Sequence, residues 1–290
     1  MEKLFTGVAT AIVTPFDKRG EIDYLALKNL IEFNLQNKIQ AIVICGTTGE
    51  ASTLNYEERT QIVKFSANCI GGRVPLIAGV GSNNYESTIK MIASSEPYVD
   101  AYLIVTPYYN KTTQLGLQKI YSLYASKTKK PIIAYNVPSR TGLNISPETY
   151  KKLQNKIVAV KEANTDMSQL SKSISLCPKL TFYTGNDDLI LPSLSFGAKG
   201  VISVISNILP KQTQKMVEHF FSGNVNLATK EQIKLMPIIK AMFLEVNPIP
   251  IKYALYKMGF IKNELRLPLV PLSKQYEQQV DMLLKKYNLI

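Results

Sequence analysis

Short apolar runs rich in valine, isoleucine and alanine recur along the chain, and longer stretches of helical periodicity separate them. The runs lie at 7–16 (GVATAIVTPF), 41–46 (AIVICG), 74–81 (VPLIAGVG), 101–108 (AYLIVTPY), 131–138 (PIIAYNVP), 157–163 (IVAVKEA), 180–187 (LTFYTGND) and 200–206 (GVISVIS). Such runs read as strands buried on both faces, because a parallel sheet covered by helices leaves no polar side. Between them, as over 23–36, 56–69, 85–95, 115–126 and 189–196, apolar residues recur three and four apart, which reads as helix. Eight strands, each followed by a helix, predict an α/β fold of the (β/α)8 TIM-barrel class. A doubly wound open sheet is the alternative, but no G-x-G-x-x-G follows the first strand. GVGSNN after the third lacks the final glycine, so Gly79 and Gly81 read as loop-forming residues.

Beyond the eighth unit only helical pattern remains, in KEQIKLMPIIKAMFLEV, IPIKYALYKMG and LSKQYEQQVDMLLKKY. Pro248, Pro250, Pro268 and Pro271 punctuate it. The division this predicts is a barrel over residues 1–225 and a C-terminal helical extension over residues 226–290, packed on it.

A hydrophobic share of 46% supplies a large core. The formal charge of +12 raises nucleic acid as a partner, since clustered cations release counterions from phosphate. The cations are not clustered: only Arg19, Arg59, Arg73, Arg140 and Arg266 are arginines, and the lysines are spread over the predicted helices. A solvated, lysine-rich surface without a nucleic-acid partner is the better reading. No apolar run reaches the roughly 18 residues of a membrane span, and the N-terminal stretch carries an acidic residue without a cleavage site. A cytoplasmic protein without membrane contact is expected. Cys45, Cys69 and Cys177 are odd in number and lack CxxC spacing, so neither a disulfide framework nor a zinc site is expected.

In a barrel of this type chemistry belongs at the C-terminal ends of the strands. Those ends read GTTGE (46–50), GSNN (81–84), TPYYNK (106–111), YNVPSRTG (135–142), KEAN (161–164) and TGNDD (184–188), a set poor in metal ligands. The only histidine, His219, lies on the last barrel helix, which removes Ser-His-Asp and Cys-His catalysis and any multi-histidine zinc site. Asp187, Asp188 and Glu162 lack the spacing of a calcium loop, and Asp188 reads as a cap for the next helix. GTTGE has no following GK[ST], so it is no P-loop, and its threonines stay unexplained on that reading.

Lys161 remains as the candidate nucleophile. Alternation puts Ile157, Ala159 and Lys161 on one face of the strand and Val158, Val160 and Glu162 on the other. The small Ala159 leaves room for a long side chain in the barrel mouth. Desolvation lowers an ammonium pKa from about 10.4 toward neutrality, which would leave an amine able to attack a carbonyl carbon. A lysine that only marks the strand end and snorkels to solvent is the other reading. Tyr135, ending the neighbouring strand, could share the space, and a phenol is a general acid and base.

Together CGTTGEASTLNYEER, IAGVGSNN, VTPYYNK, YNVPSRTG, VKEAN, TGNDD and GVISV resemble the dihydrodipicolinate synthase family, in the pyruvate-dependent class I aldolase group that also contains N-acetylneuraminate lyase. The likeness runs nearly end to end. It implies that Lys161 forms a Schiff base with pyruvate, and that Tyr135, Thr47 and Tyr109 form a proton relay, Tyr109 reaching into the neighbouring subunit's site. It implies that Thr48 and its N–H hold the pyruvate carboxylate, that Arg140 receives the carboxylate of aspartate semialdehyde, and that Gly185 and Ile202 contribute backbone contacts. A guanidinium fork suits such a carboxylate. The implied reaction condenses pyruvate with L-aspartate 4-semialdehyde to 4-hydroxy-tetrahydrodipicolinate, in lysine and diaminopimelate biosynthesis. The resemblance implies no cofactor, no metal, and a homo-oligomer that is a dimer or a dimer of dimers.

Sialic acid lyases share the strand-end lysine and tyrosine but usually carry serine at the first threonine of GTTGE and lack the arginine pattern of YNVPSRTG. Both features favour the synthase side. A barrel that has lost catalysis and only binds is a reading of a different class, against which the intact set of Lys161, Tyr135, Thr47, Tyr109 and Arg140 speaks. In lysine-inhibited relatives a histidine stands at the position of Tyr56 and a glutamate at that of Ser87, while Asn83 and Tyr108 match. Weak or absent inhibition by lysine is expected.

Overall fold

The eight apolar runs become eight parallel strands that pair in chain order and close, last against first, in the computed structural model, which describes residues 4–290. The strands are shorter than the runs: β1 Gly7–Ala11, β2 Ala41–Ile44, β3 Leu76–Gly79, β4 Ala101–Val105, β5 Ile132–Asn136, β6 Ala159–Glu162, β7 Thr181–Thr184 and β8 Gly200–Ser203. What each run loses at its C-terminal end becomes the loops of one rim. Helices α1 Tyr24–Gln36, α2 Tyr56–Ile70, α3 Tyr85–Ser95 and α4 Gln114–Ala125 follow the first four strands. Then α5 Pro138–Thr141 and α6 Pro147–Leu153 follow β5, α7 Met167–Leu176 follows β6, α8 Ile190–Ser195 follows β7, and α9 Pro210–Phe221 follows β8. After them α10 Val225–Ala241 packs on α9, and α11 Ile249–Lys257 and α12 Lys274–Lys286 pack on each other.

Polar residues where loops meet helices set where several of these helices begin. Asp23 accepts from the Ala26 N–H, Asn84 from those of Glu86 and Ser87, and Asn55 with Glu58 forms a reciprocal capping box on α2. Alternation along the strands sorts the side chains into two cores. Ala9, Val43, Ile77, Leu103, Ile133 and Ile202 fill the barrel interior, while Val8, Ile42, Ile44, Tyr102, Val160 and Phe182 face the helices. Phe5 stacks on Tyr183 with ring centres 4.1 Å apart, and the Tyr183 hydroxyl donates to the Phe5 carbonyl at 2.8 Å, plugging the interior beside the start of β1.

Two local expectations change. The alternation in the sequence reaches back to Ile157, but β6 begins only at Ala159. The Ile157 N–H still bonds to the Leu153 carbonyl at the end of α6, so the pleat has not begun there and Ile157 packs with the helix-facing core. Gly79 and Gly81 are not glycine for a turn's sake, since neither has a positive φ. They are glycine because backbone passes close by: a Cβ on Gly79 would sit 2.2 Å from the Cys45 carbonyl oxygen, and one on Gly81 2.6 Å from the Val105 nitrogen.

Gly79→Ala is expected to cost about 1–3 kcal/mol, as other overpacked positions do. A thermal melt should show a Tm lower by roughly 2–5 °C; an unchanged melt would mean that the Cys45 carbonyl moves aside freely.

Candidate active site

Lys161 is the third residue of β6 and is 6% exposed. Its register neighbours are Tyr135 on β5 and Tyr183 on β7. The Lys161 Nζ lies 4.4 Å from the centre of the Tyr135 ring, whose negative face favours a cation. Gly185 leaves room for the lysine stem, because a Cβ there would come within 2.9 Å of Lys161 Cε. Ile202 belongs to the buried interior packing. The side chain therefore stays inside the barrel instead of snorkelling outward.

A cavity of about 660 Å³ opens at the C-terminal rim. Of the catalytic and substrate-binding residues singled out from the sequence, Thr47, Tyr135 and Arg140 line it; so do Tyr56, Ser87 and Tyr108 of the positions weighed for lysine inhibition, together with Val246 and Asn247. Lys161 lies behind the Tyr135 ring, and Thr48 is 2% exposed. Tyr109 goes elsewhere: it has a left-handed backbone, φ 68°, and its side chain is 92% exposed and off the cavity wall.

The loop from Gly46 to Gly49 is bracketed by two non-glycine residues in left-handed conformation, Cys45 at φ 50° and Glu50 at φ 53°. Thr14 Oγ1 donates to the Gly49 carbonyl at 2.7 Å, and the Glu50 N–H donates to the Thr47 carbonyl at 3.1 Å. Thr48 Oγ1 accepts from Asn247 Nδ2 at 3.0 Å, while the Asn247 carbonyl accepts from Arg140 Nη2 at 3.0 Å. Asn247 thus ties two predicted site residues together from the C-terminal helical part. Its Oδ1 is buried without a partner.

Asn247, Glu50 and Lys252 were not singled out from the sequence. Lys252 carried a readable signal, a lone lysine within IPIKYALY, of the same kind that marked Lys161. It is fully buried, with Nζ 2.5 Å from Glu50 Oε1. Asn247 had no such signal, because its partners are about a hundred and two hundred residues away.

Asp188 does not cap α8, which has no side-chain cap; a single 3₁₀ turn at Asp187–Leu189 intervenes between β7 and that helix. The neighbouring Asp187 is the one that binds backbone, its Oδ2 accepting from Val204 and Ile205 at 3.0 and 2.9 Å. Burial pushes the Asp187 carboxyl up, against the pull of its hydrogen bonds and of the Lys161 charge. No cluster of three or more histidine, cysteine or acidic side chains able to hold a metal occurs among the described residues. Burial pushes the Cys45 thiol, on the cavity wall, up to about 11, which keeps it protonated and a poor nucleophile.

Glu162, next to Lys161, faces the opposite side of β6 and is 2% exposed. Its Oε1 accepts from Asn136 Nδ2 at 2.8 Å and from the Asn164 N–H at 2.9 Å, and its Oε2 accepts from the Tyr150 hydroxyl at 3.0 Å. Burial raises this carboxyl to about 7 despite those three donors. The network fixes the end of β6, and with it the direction in which Lys161 leaves the strand.

Residues 4–287 match the Dihydrodipicolinate synthetase family. The 4-hydroxy-tetrahydrodipicolinate synthase of Acetivibrio thermocellus is 46% identical over 99% of this chain and 99% of its own. The crystal structure of dihydrodipicolinate synthase from Thermotoga maritima superposes with a TM-score of 0.97 at 42% identity, covering 99% of this chain and 100% of that one. The enzyme from Cyanidioschyzon merolae, solved with lysine bound, superposes with a TM-score of 0.96 at 36% identity over the whole of both chains.

The Glu162 carboxyl holds its proton in the fold at pH values where the unfolded chain has lost it, so its stabilising contribution is complete below about pH 4.5 and fades as pH rises through about 7. At about 1.4 kcal/mol per unit the fade totals about 3 kcal/mol. Glu162→Gln should abolish it: in urea titrations from pH 4.5 to 7.5, wild type should lose stability relative to the variant by that amount. A pH-independent difference would show that Glu162 titrates in the fold as it does in the unfolded chain.

Proposed function

The chain belongs to the dihydrodipicolinate synthetase family, and on that premise we propose how its residues carry out the family's reaction. The enzyme is a lyase of the class I aldolase type that condenses pyruvate with L-aspartate 4-semialdehyde, in lysine and diaminopimelate biosynthesis. In the proposed mechanism the Lys161 amine attacks the C2 ketone of pyruvate, and loss of water leaves an imine. A methyl proton leaves to give an enamine, whose carbon adds to the aldehyde of the second substrate. The amine of that substrate then attacks C2, closes the ring and releases Lys161. Forming each bond moves a proton, which Tyr135 and Thr47 handle from the cavity side, with Tyr109 joining from a neighbouring subunit.

The observation that carries this assignment is the register pairing of Tyr135 with Lys161, which puts the phenol ring 4.4 Å from the amine. Thr48, through its hydroxyl and its own N–H, takes the pyruvate carboxylate. Arg140, on the same cavity wall as Tyr135, takes the carboxylate of aspartate semialdehyde, and Gly185 and Ile202 supply backbone contacts. The 92% exposure of Tyr109 in a strained backbone supports a homo-oligomer of at least two chains, in which that ring enters the partner's site. In the division at residue 225, the described residues from 4 to 225 make up the catalytic barrel, and residues 226–290 a helical extension that supports it. No helix among the described residues is long and apolar enough to cross a membrane, in keeping with work in the cytoplasm.

Lysine is a weak inhibitor on this reading. Tyr56 and Ser87 offer neither an imidazole nor a carboxylate, and the Lys90 ammonium already sits 3.8 Å from the centre of the Tyr56 ring. A second ammonium brought there meets like charge.

Borohydride reduction in the presence of pyruvate should fix one pyruvate-derived adduct per chain on the peptide containing Lys161, and Lys161→Ala should lose both adduct and turnover. An adduct elsewhere, or full turnover in that variant, would sink the mechanism. Tyr135→Phe should lower kcat by about 10²–10⁴, the usual worth of a positioned acid–base group. Half-maximal inhibition by lysine should require more than about 0.1 mM, because tighter binding needs several kcal/mol of specific contacts; a steady-state titration decides it.

A further inference from the structure

The loop that carries Thr47 and Thr48 is held from outside the barrel. Its last residue, Glu50, has φ 53°, a conformation that non-glycine residues keep only where surrounding contacts over-determine it. Those contacts come from the C-terminal part of the chain, from α11 and from the segment that follows it. Glu50 Oε1 meets Lys252 Nζ of α11 at 2.5 Å, and Oε2 accepts from the Arg266 N–H at 3.2 Å. Both members of the pair have wholly buried side chains. The Lys252 Nζ and the Arg266 guanidinium also lie 4.3 and 4.5 Å from the centre of the Phe16 ring, so that ring adds a fixed surface to the charges. Arg266 continues to Glu58 at 2.6 Å and to the Thr53 carbonyl at 3.1 Å, beyond the same loop.

Five residues before Lys252, Asn247 donates to Thr48 Oγ1 at 3.0 Å. The C-terminal part therefore grips the loop at two points, through Thr48 and through Glu50, from one short stretch of chain. A buried ion pair is a poor source of net stability, since apolar residues of like volume often serve as well or better. What it supplies that an apolar pair lacks is direction: the carboxylate is held at one position and one rotamer.

We propose that the Glu50–Lys252 pair is a positioning clamp that sets the Thr47–Thr48 loop for the pyruvate carboxylate; this rests on the assignment of that loop under the proposed function. Neither residue is catalytic. The clamp acts through the left-handed turn at Glu50, whose N–H closes onto the Thr47 carbonyl.

The test uses the full-length chain and pyruvate itself, and reads both steady-state kinetics and the pyruvate dependence of borohydride trapping at Lys161. Lys252→Met alone leaves a buried unpaired carboxylate and should be the least stable variant. Glu50→Leu combined with Lys252→Met removes both charges and should recover much of the melting temperature. Its half-saturating pyruvate, by KM and by trapping, should nevertheless rise tenfold or more, with KM for aspartate semialdehyde within threefold of wild type. Glu50→Gln, which keeps an acceptor for Lys252, should fall between. Wild-type pyruvate saturation in the double variant would make the pair purely structural and overturn the proposal; if that variant does not fold, wild-type saturation in Glu50→Gln does the same. Equal rises in KM for both substrates would also overturn it. Failure of wild type to trap pyruvate at all would overturn the assignment of the site itself, and the clamp with it.

Discussion

Placing an amine inside a closed barrel is the constraint around which this chain is organised. A charged group taken out of water is costly unless neighbours replace its hydration, and Lys161 has the face of Tyr135 beside it and the space left by Gly185, while Tyr135 also lines the cavity. Closure of eight parallel strands makes this arrangement exact in direction. Once β5, β6 and β7 are in register, Tyr135, Lys161 and Tyr183 fall side by side, and a slip of one residue would turn all three out toward the helices.

Everything near the lysine works to prevent such a slip. Glu162, on the other face of β6, is bound to Asn136 of β5 and Tyr150 of α6, so the strand end is pinned from behind. Tyr183 is committed downward, its hydroxyl engaged by Phe5, which leaves Tyr135 as the phenol whose ring lies against the amine and also lines the cavity. Asp187 is spent on the backbone of Val204 and Ile205 and holds β7 to the turn after β8. Its other oxygen, Oδ1, is buried without a hydrogen-bond partner.

The fold and much of the site were legible because their causes are local. Val, Ile and Ala runs of strand length, Asn or Asp at helix starts, and Lys161 beside Ala159 each reflect short-range physics, and each could be read without knowing what lies across the barrel. Two of the misreadings have local causes too. Ile157 looks like part of the strand, but the preceding helical turn still holds its N–H; Asp188 looks like a cap, but a 3₁₀ turn comes first. Gly79 and Gly81 are a misreading with a non-local cause, since the close approach that excludes a side chain there comes from Cys45, just past β2, and from Val105 of β4.

By itself the sequence determined the barrel and, through the run of motifs from GTTGE to TGNDD, the family, and it singled out Lys161, the lysine proposed as nucleophile. Hydrophobic period and residue chemistry are properties of contiguous segments, so they survive being read in one dimension. Only the tertiary structure decided that Asn247, Lys252 and Arg266 hold the loop of Thr47 and Thr48, because those contacts span about two hundred residues. Their geometry exists only after the barrel has closed and the last helices have packed against it. A left-handed Glu50 is likewise invisible in the letters GTTGE, and the partner of its ion pair, Lys252, is supplied by the far end of the chain.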